Sequence, residues 1–182
     1  GVRKDQILEV RQPQKALSNL LAKEESDELL EAFKSVLDIV ETRSDLSSSD
    51  FGVFGSLLHD FYHPAFSDLD FTVNGRYELN RLRETLAVLY QEENSPLRNE
   101  FETLESVAEK DWKFQNYSLG EYVWHQRRKQ IYGVFDREES HRVIKVEFEP
   151  VKRWEEIHAE SLDDIRIQGQ GWIRMLARVT EE

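Results

Sequence analysis

Two short segments rich in apolar residues constrain the fold of this 182-residue chain more than any other feature. They are residues 51–54 and 69–73, and each is closed by a turn-forming pair, Gly55-Ser56 after the first and Asn74-Gly75 after the second. Short apolar runs that end in this way are typical of buried β-strands. Because helical patterns surround both segments, we expect an α/β fold in which short strands carry the motifs and helices supply the mass.

Apolar residues recur at three- and four-residue spacing in the segments around these strands, which predicts amphipathic helices. The predicted helices are residues 13–21, residues 26–40 with Ser26 as N-cap, residues 77–91, residues 100–109 and residues 119–132. A polar loop at 136–140 separates residues 133–135 from residues 142–148, which predicts a β-hairpin. Residues 165–179 are predicted to be rich in strand.

The charge balance excludes one broad class of function. The chain has 24 Lys and Arg against 36 Asp and Glu, a formal net charge of -12. A uniformly basic nucleic-acid coat is therefore excluded, and contact with polyphosphate would need a local basic patch. The absence of Cys excludes disulfides, thiolate metal sites and a Cys nucleophile. No apolar run approaches the roughly 18 residues of a membrane span and no signal-peptide pattern is visible, so a cytoplasmic location is expected.

The residues best suited to chemistry lie at the end of the first predicted strand and at the start of the second. Gly55 lets the backbone approach a ligand closely, and Ser56 offers a hydroxyl and an N–H group for phosphate. Asp68 and Asp70 lie two residues apart in an extended segment, so both carboxylates point to one face while Leu69 points into the core. Two adjacent carboxylates repel unless a cation lies between them, and such oxygen ligands suit Mg²⁺ or Mn²⁺ completed by substrate phosphates.

Two-metal phosphoryl chemistry usually needs a third carboxylate. The predicted strand 143–149 supplies two candidates on its polar face, Glu147 and Glu149. Glu147 lies between two large apolar residues, as Asp70 does, whereas Glu149 is followed by a proline. We therefore choose Glu147 as the third ligand and keep Glu149 as the alternative.

The sequence of Gly55-Ser56, eleven residues and then residues 68–71 resembles the signature of the DNA polymerase beta-type nucleotidyltransferase superfamily. In those enzymes the third acidic residue lies on a later strand between apolar neighbours, as Glu147 does. The resemblance covers most of residues 5–180 and is greatest to a group of archaeal predicted nucleotidyltransferases. The segments similar to that group are Gly55 to Leu58, Ser67 to Asp70, Asn74-Gly75, His125 with Arg128, Lys129 and Gly133, and Trp154 to Ile157.

The resemblance implies a nucleotidyltransferase (polymerase beta-like) fold, a small mixed sheet flanked by helices. It also implies transfer of a nucleoside monophosphate from a nucleoside triphosphate to an acceptor hydroxyl, with release of pyrophosphate. Asp68, Asp70 and Glu147 would be the catalytic carboxylates and would hold Mg²⁺ or Mn²⁺, while Gly55 and Ser56 would bind the nucleotide. The acceptor (RNA, protein or small molecule) and the base preference stay open.

The chain departs from the superfamily pattern at two places. Leu57-Leu58-His59 stands where most members carry Arg or small polar residues, and the third acidic residue is Glu147 rather than an aspartate. Both departures favour a weakened or altered activity. Two alternatives therefore remain, a catalytically weakened nucleotide- or RNA-binding module of a larger protein and a toxin–antitoxin-type nucleotidyltransferase.

A basic run stands out in this acidic chain. His125, Arg128 and Lys129 have the spacing of one helix face. Such faces are most often only solvated. Arg nevertheless binds phosphate bidentately and Lys binds it as a point charge, so Arg128 and Lys129 are candidate contacts to a triphosphate or an RNA backbone. His59 and His63, between the Gly-Ser pair and Asp68, are better explained as solvated loop residues.

The expected organisation has three parts: a helical lead-in at residues 1–45, a nucleotidyltransferase domain at 46–160, and the start of a β segment at 161–182. The only Met is Met175, and the chain ends on a strand-like pattern. Both features predict a piece of a longer polypeptide with further domains.

Overall fold

A five-stranded mixed sheet with helices packed against it organises the structure, a computed structural model that describes residues 3–102, 118–136, 142–157 and 171. The strands are β1 (Phe51–Val53), β2 (Leu69–Asn74), β3 (Leu97–Asn99), β4 (Tyr132–Phe135) and β5 (Ile144–Val151). The helices are α1 (Pro13–Leu21), α2 (Glu28–Arg43), α3 (Gly55–Leu58), α4 (Arg76–Leu89) and α5 (Leu119–Arg127). Short 3-10 turns lie at Lys4–Gln6, Ser48–Asp50 and Trp154–Glu156.

The strand order is β1-β2-β5-β4-β3. β2 and β5 run parallel, and the other neighbouring pairs are antiparallel. The α/β class predicted from the sequence is confirmed, and so is the hairpin of β4 and β5. No helix in the described part of the chain is long and apolar enough to cross a membrane.

One face of the sheet forms the hydrophobic core. Phe71 of β2 is fully buried, and its ring stacks on Phe33 of α2 at 5.0 Å and on Phe148 of β5 at 5.2 Å between ring centroids. The inward residues of β5 alternate strictly with half-buried ones. Burial of each such aromatic ring contributes about 1.5–3 kcal/mol to folding, so this face fixes which side chains of β2 and β5 point the other way.

The start of α2 differs from the sequence-based prediction. The N-cap is Asp27 rather than Ser26, and its Oδ1 accepts a hydrogen bond from the backbone N–H of Leu30 at 3.0 Å. Its second oxygen accepts from the Tyr62 hydroxyl at 3.1 Å. Asp27 therefore satisfies a free helix N–H and also ties α2 to the loop that precedes β2.

We expect Asp27→Ala to lower the free energy of unfolding by about 1–2 kcal/mol, because it removes both the cap and the tyrosine hydrogen bond. Ser26→Ala, one residue earlier, is the matched control and should change it by less than about 0.5 kcal/mol. Urea unfolding of both variants measures the difference. Equal effects of the two substitutions would contradict the assignment of Asp27 as the cap.

Two other helix predictions near the sheet differ from the structure. The helix predicted at 119–132 ends at Arg127, because Gln130 adopts a left-handed backbone conformation (φ 55°) that turns the chain into β4. Residues 97–99 form the edge strand β3, which was not predicted, and residues 100–102 are not helical. Residues 103–109, the rest of the helix predicted at 100–109, lie outside the described residues. The predicted strand-rich region 165–179 also lies outside them, apart from Gly171.

Candidate functional site

The face of the sheet opposite the core carries the acidic side chains. Asp70 of β2 lies directly beside Glu147 of β5 in the parallel register, and both side chains are half-buried. Neighbouring strands lie about 4.8 Å apart, so these two residues are as close in the sheet as adjacent strands allow. The strand pairing therefore puts Asp70 and Glu147 side by side on this face, and their role as metal ligands stays a prediction.

The register distinguishes Glu147 from Glu149. Glu149 pairs with Thr72 instead, two residues further along β2 than Asp70. Asp68 is half-buried and lies immediately before β2, next to the first residue of the strand. The structure thus brings Asp70 and Glu147 together as a pair and places Asp68 and Glu149 at its two ends.

The paired carboxylates are in an environment that disfavours their charges. Burial raises the pKa of Asp70, and the negative charges of Asp68 and Glu149 raise it further. Burial likewise raises the pKa of Glu147, with Asp70 among the charges that add to the effect. The charge of Lys145 lowers the pKa of both carboxyl groups, but the net direction is upward. A bound cation would relieve this repulsion.

The chemistry of these ligands fits a hard divalent cation in part. Carboxylate oxygens suit Mg²⁺ and Mn²⁺, and Mg²⁺ is commonly held by only one or two carboxylates together with substrate phosphates. Within residues 3–102, 118–136 and 142–157, no three His, Asp or Glu side chains are gathered into a group that could hold a metal ion. Asp70 and Glu147 are thus enough to supply the one or two carboxylates that Mg²⁺ commonly uses, and substrate oxygens would have to complete the coordination.

Gly55 packs against the carboxylate of Asp70. Its backbone has φ +59°, and a Cβ added to it would lie 2.3 Å from Oδ2 of Asp70. The backbone N–H of Phe54 donates to the carbonyl of Asp70 at 3.1 Å, which holds the two segments together. Only glycine avoids both the strained conformation and the clash, so the Gly55 backbone can lie directly against the Asp70 carboxylate, and its approach to a ligand stays a prediction.

The Gly-Ser pair begins a short helix. α3 covers only Gly55–Leu58, and the half-buried Ser56 accepts a hydrogen bond from the N–H of Phe61 through its backbone carbonyl at 3.2 Å. A helix of one turn has little macrodipole, so any phosphate contact here depends on the individual N–H groups and the Ser56 hydroxyl.

The two predicted basic residues, Arg128 and Lys129, come directly after the last residue of α5 and do not lie along one of its faces. Arg128 is the C-cap, and its guanidinium lies 4.8 Å from the centre of the exposed Trp124 ring. Lys129 follows, with Nζ 2.8 Å from Gln126 Oε1 and 5.4 Å from the Tyr132 ring. Tyr132 pairs with Glu147 in the sheet, so Lys129 approaches the acidic face and Arg128 is directed toward an exposed aromatic side chain.

Two residues of the site escaped sequence analysis. Glu100 is only 6% exposed, and its Oε1 lies 2.7 Å from Nζ of Lys145 on the acidic face. Arg142 donates to the carbonyls of Pro64 and Ser67 at 3.0 and 2.5 Å, which holds the loop in front of Asp68. Neither residue belongs to a local motif. Their positions depend on β3 and on the start of β5, which only the folded chain brings to this face.

The raised pKa of Glu147 predicts a pH dependence of stability. The Glu147 carboxyl group binds its proton more tightly in the native state than in the unfolded state. The protonated carboxyl group therefore stabilises the fold fully at low pH, and this stabilisation is lost as pH rises above the ordinary pKa of 4.5. In metal-free buffer, the melting temperature of Glu147→Gln should therefore exceed that of the wild type by a margin that grows as pH rises from 4.5 to about 7. Exposed Glu155→Gln is the comparison variant. A wild-type advantage that grows with pH would contradict the prediction.

Comparison with models of protein families, with curated proteins and with solved structures finds no match to this chain.

Proposed function

We propose that the chain is a metal-dependent nucleotidyltransferase. It would move a nucleoside monophosphate from a nucleoside triphosphate to an acceptor hydroxyl and release pyrophosphate. The observation that supports this most is the pairing of Asp70 with Glu147 across β2 and β5, with the backbone of Gly55 against the Asp70 carboxylate. That arrangement supports the proposal because Gly55 and the proposed third carboxylate both lie next to Asp70.

Asp70 and Glu147, with Asp68 at the end of the pair, would hold Mg²⁺ or Mn²⁺. When bound, such an ion neutralises charge on the triphosphate and lowers the pKa of the acceptor hydroxyl. Asp68 and Asp70 share the strand end beside the Gly-Ser turn, so the same carboxylates would face the phosphates of the donor.

Glu147 is the best candidate to accept the acceptor's proton. The acceptor oxygen forms a bond to the α-phosphorus, the bond from that phosphorus to the bridging oxygen breaks, and pyrophosphate leaves with the electron pair. The hydroxyl proton passes to a carboxylate. Since burial raises the pKa of Glu147, this carboxylate is a stronger base than an exposed glutamate.

The remaining residues would bind the donor. The backbone N–H groups of Gly55 and Ser56 and the Ser56 hydroxyl would donate hydrogen bonds to phosphate oxygens. The Asp70 carboxylate lies against the Gly55 backbone, so the phosphates would be held next to it. Lys129, beside Tyr132, would attract the triphosphate or an RNA acceptor from the other side of the face. Arg128, over Trp124, would contact the more distant part of such a polyanion.

Donor and acceptor can be identified in one experiment. The chain is incubated with each labelled nucleoside triphosphate, Mg²⁺ or Mn²⁺, and an extract of total RNA and protein. We expect covalent label on one class of acceptor, and that class names the substrate. Absence of metal-dependent label with every triphosphate would contradict the proposed activity.

A second function has its own supporting observation. Because the described residues gather no three-carboxylate metal group and Glu100 pairs with Lys145 on the same face, the chain would also suit a nucleotide- or RNA-binding module with weakened turnover. Calorimetry separates the two functions. A module binds triphosphate without releasing pyrophosphate, whereas an enzyme does both.

A further inference from the structure

Lys145 introduces a positive charge into the acidic face. It lies two residues before Glu147 on β5, so both side chains extend from the same side of the strand. Its ammonium lies 2.7 Å from Glu100, a carboxylate from the turn after β3. Glu100 is 6% exposed, whereas the side chain of Lys145 keeps 35% of its exposure. The lysine is therefore paired with a nearly buried carboxylate while part of its own side chain is exposed.

The position of Lys145 puts its charge within reach of the carboxylates proposed to bind metal. The ladder of β2 and β5 begins with Leu69 opposite Val146, and Asp68 and Lys145 are the residues immediately before these two. The charge of Lys145 also acts on both Asp70 and Glu147, whose pKa values it lowers. A flexible lysine in this place competes with any cation that approaches the same pair.

Glu100 has a rigid attachment. Its backbone N–H donates to the carbonyl of Tyr132 at 3.3 Å, and the next residue, Phe101, packs edge-on against Tyr122 and Tyr132. A nearly buried carboxylate is costly unless a cation stays beside it, so Lys145 is drawn toward Glu100. The lysine, with its long flexible stem, is the mobile partner of the two.

We infer that Glu100 acts as a positioning residue that holds Lys145 to the side of the acidic face, so that a divalent cation can bind between Asp70 and Glu147. Lys145 is the resident competitor of that cation, and Glu100 limits the competition. This inference rests on the proposed function, because it concerns the same carboxylate pair.

The inference predicts opposite effects for the two members of one ion pair. Glu100→Gln releases Lys145 toward Asp70 and Glu147 and should weaken Mn²⁺ binding about tenfold. Lys145→Met removes the competitor and should tighten Mn²⁺ binding about tenfold. The double variant should behave like Lys145→Met, because replacement of Glu100 has no further effect once the lysine that it holds is gone. Isothermal titration of the whole chain with MnCl₂ alone measures all three, and circular dichroism verifies that each variant is folded.

Lys23→Met is the matched control, because it removes one lysine from an ion pair, with Asp60 at 2.9 Å, on a different part of the surface. Its Mn²⁺ affinity should equal that of the wild type. If the Glu100–Lys145 pair had only a structural role, both substitutions would lower the melting temperature, and they would not change the Mn²⁺ affinity in opposite directions.

Failure of this inference can be separated from failure of the proposed function. If the wild type binds Mn²⁺ and the folded variants bind it equally well, the role of Glu100 and Lys145 is overturned while the metal site stands. If Lys145→Met and the double variant bind Mn²⁺ while the wild type does not, the competition is supported. If neither the wild type nor Lys145→Met nor the double variant binds Mn²⁺, the metal site itself is absent and both proposals are overturned.

Discussion

Asp70→Asn is expected to reduce metal-dependent nucleotidyl transfer by about a thousandfold, because it replaces one of the two paired carboxylates proposed to bind the metal with an uncharged amide. The same substitution should stabilise the metal-free protein. The pKa of Asp70 is raised by burial and by Asp68 and Glu149, so its negative charge disfavours the folded state at neutral pH. We expect the thermal midpoint to rise by about 2–4 °C.

Loss of activity together with a gain in stability identifies a functional carboxylate, since removal of a structural one lowers both. Asp38→Asn, on an exposed position of α2, is the control and should alter neither quantity. Thermal unfolding in metal-free buffer and a transfer assay with Mn²⁺ measure the two effects. Retention of wild-type transfer by a folded Asp70→Asn variant would remove the basis of the assignment.

Gly55→Ala is expected to reduce transfer about a hundredfold and to lower the free energy of unfolding by about 1–3 kcal/mol. The new Cβ would lie 2.3 Å from Oδ2 of Asp70, in a backbone conformation that L-residues rarely adopt. Either the turn or the carboxylate must move, and a displaced carboxylate loses its place beside Glu147. Transfer assays and urea unfolding test both parts of this expectation.

Gly120→Ala provides the comparison. Gly120 lies in α5, and the nearest atom to an added Cβ is the Ser118 hydroxyl at 4.0 Å. Alanine should therefore stabilise the chain by up to about 1 kcal/mol through helix propensity and leave transfer unchanged. If Gly55→Ala behaved like Gly120→Ala, the contact of Gly55 with Asp70 would have no functional importance.

The sequence predicts the parts of the site that depend on local patterns. The apolar runs of β1 and β2 specify buried strands, and the two-residue period of β2 places Asp70 on the face opposite Phe71. The same alternation puts Glu147 on the polar face of β5. These predictions succeed because a buried face permits only one side-chain register.

The residues that sequence analysis missed depend on contacts between distant segments. β3 has only three residues and no alternation that distinguishes it, so neither the strand nor the position of Glu100 after it could be predicted. The end of α5 depends on a left-handed residue, Gln130, which is not one of the usual helix terminators. The parallel pairing of β2 with β5 joins segments more than seventy residues apart, and only the assembled sheet shows that Asp70 meets Glu147.

The most direct measurement of the proposed activity compares triphosphates labelled at the α- or the γ-phosphate, with Mn²⁺ and the cell extract, for the wild type and Glu147→Gln. A nucleotidyltransferase transfers the α-label to an acceptor and releases the γ-label as pyrophosphate, and Glu147→Gln should abolish both. Transfer of the γ-label to the acceptor, or equal α-label transfer by the folded Glu147→Gln variant, would contradict the assignment of this face as a nucleotidyl-transfer site.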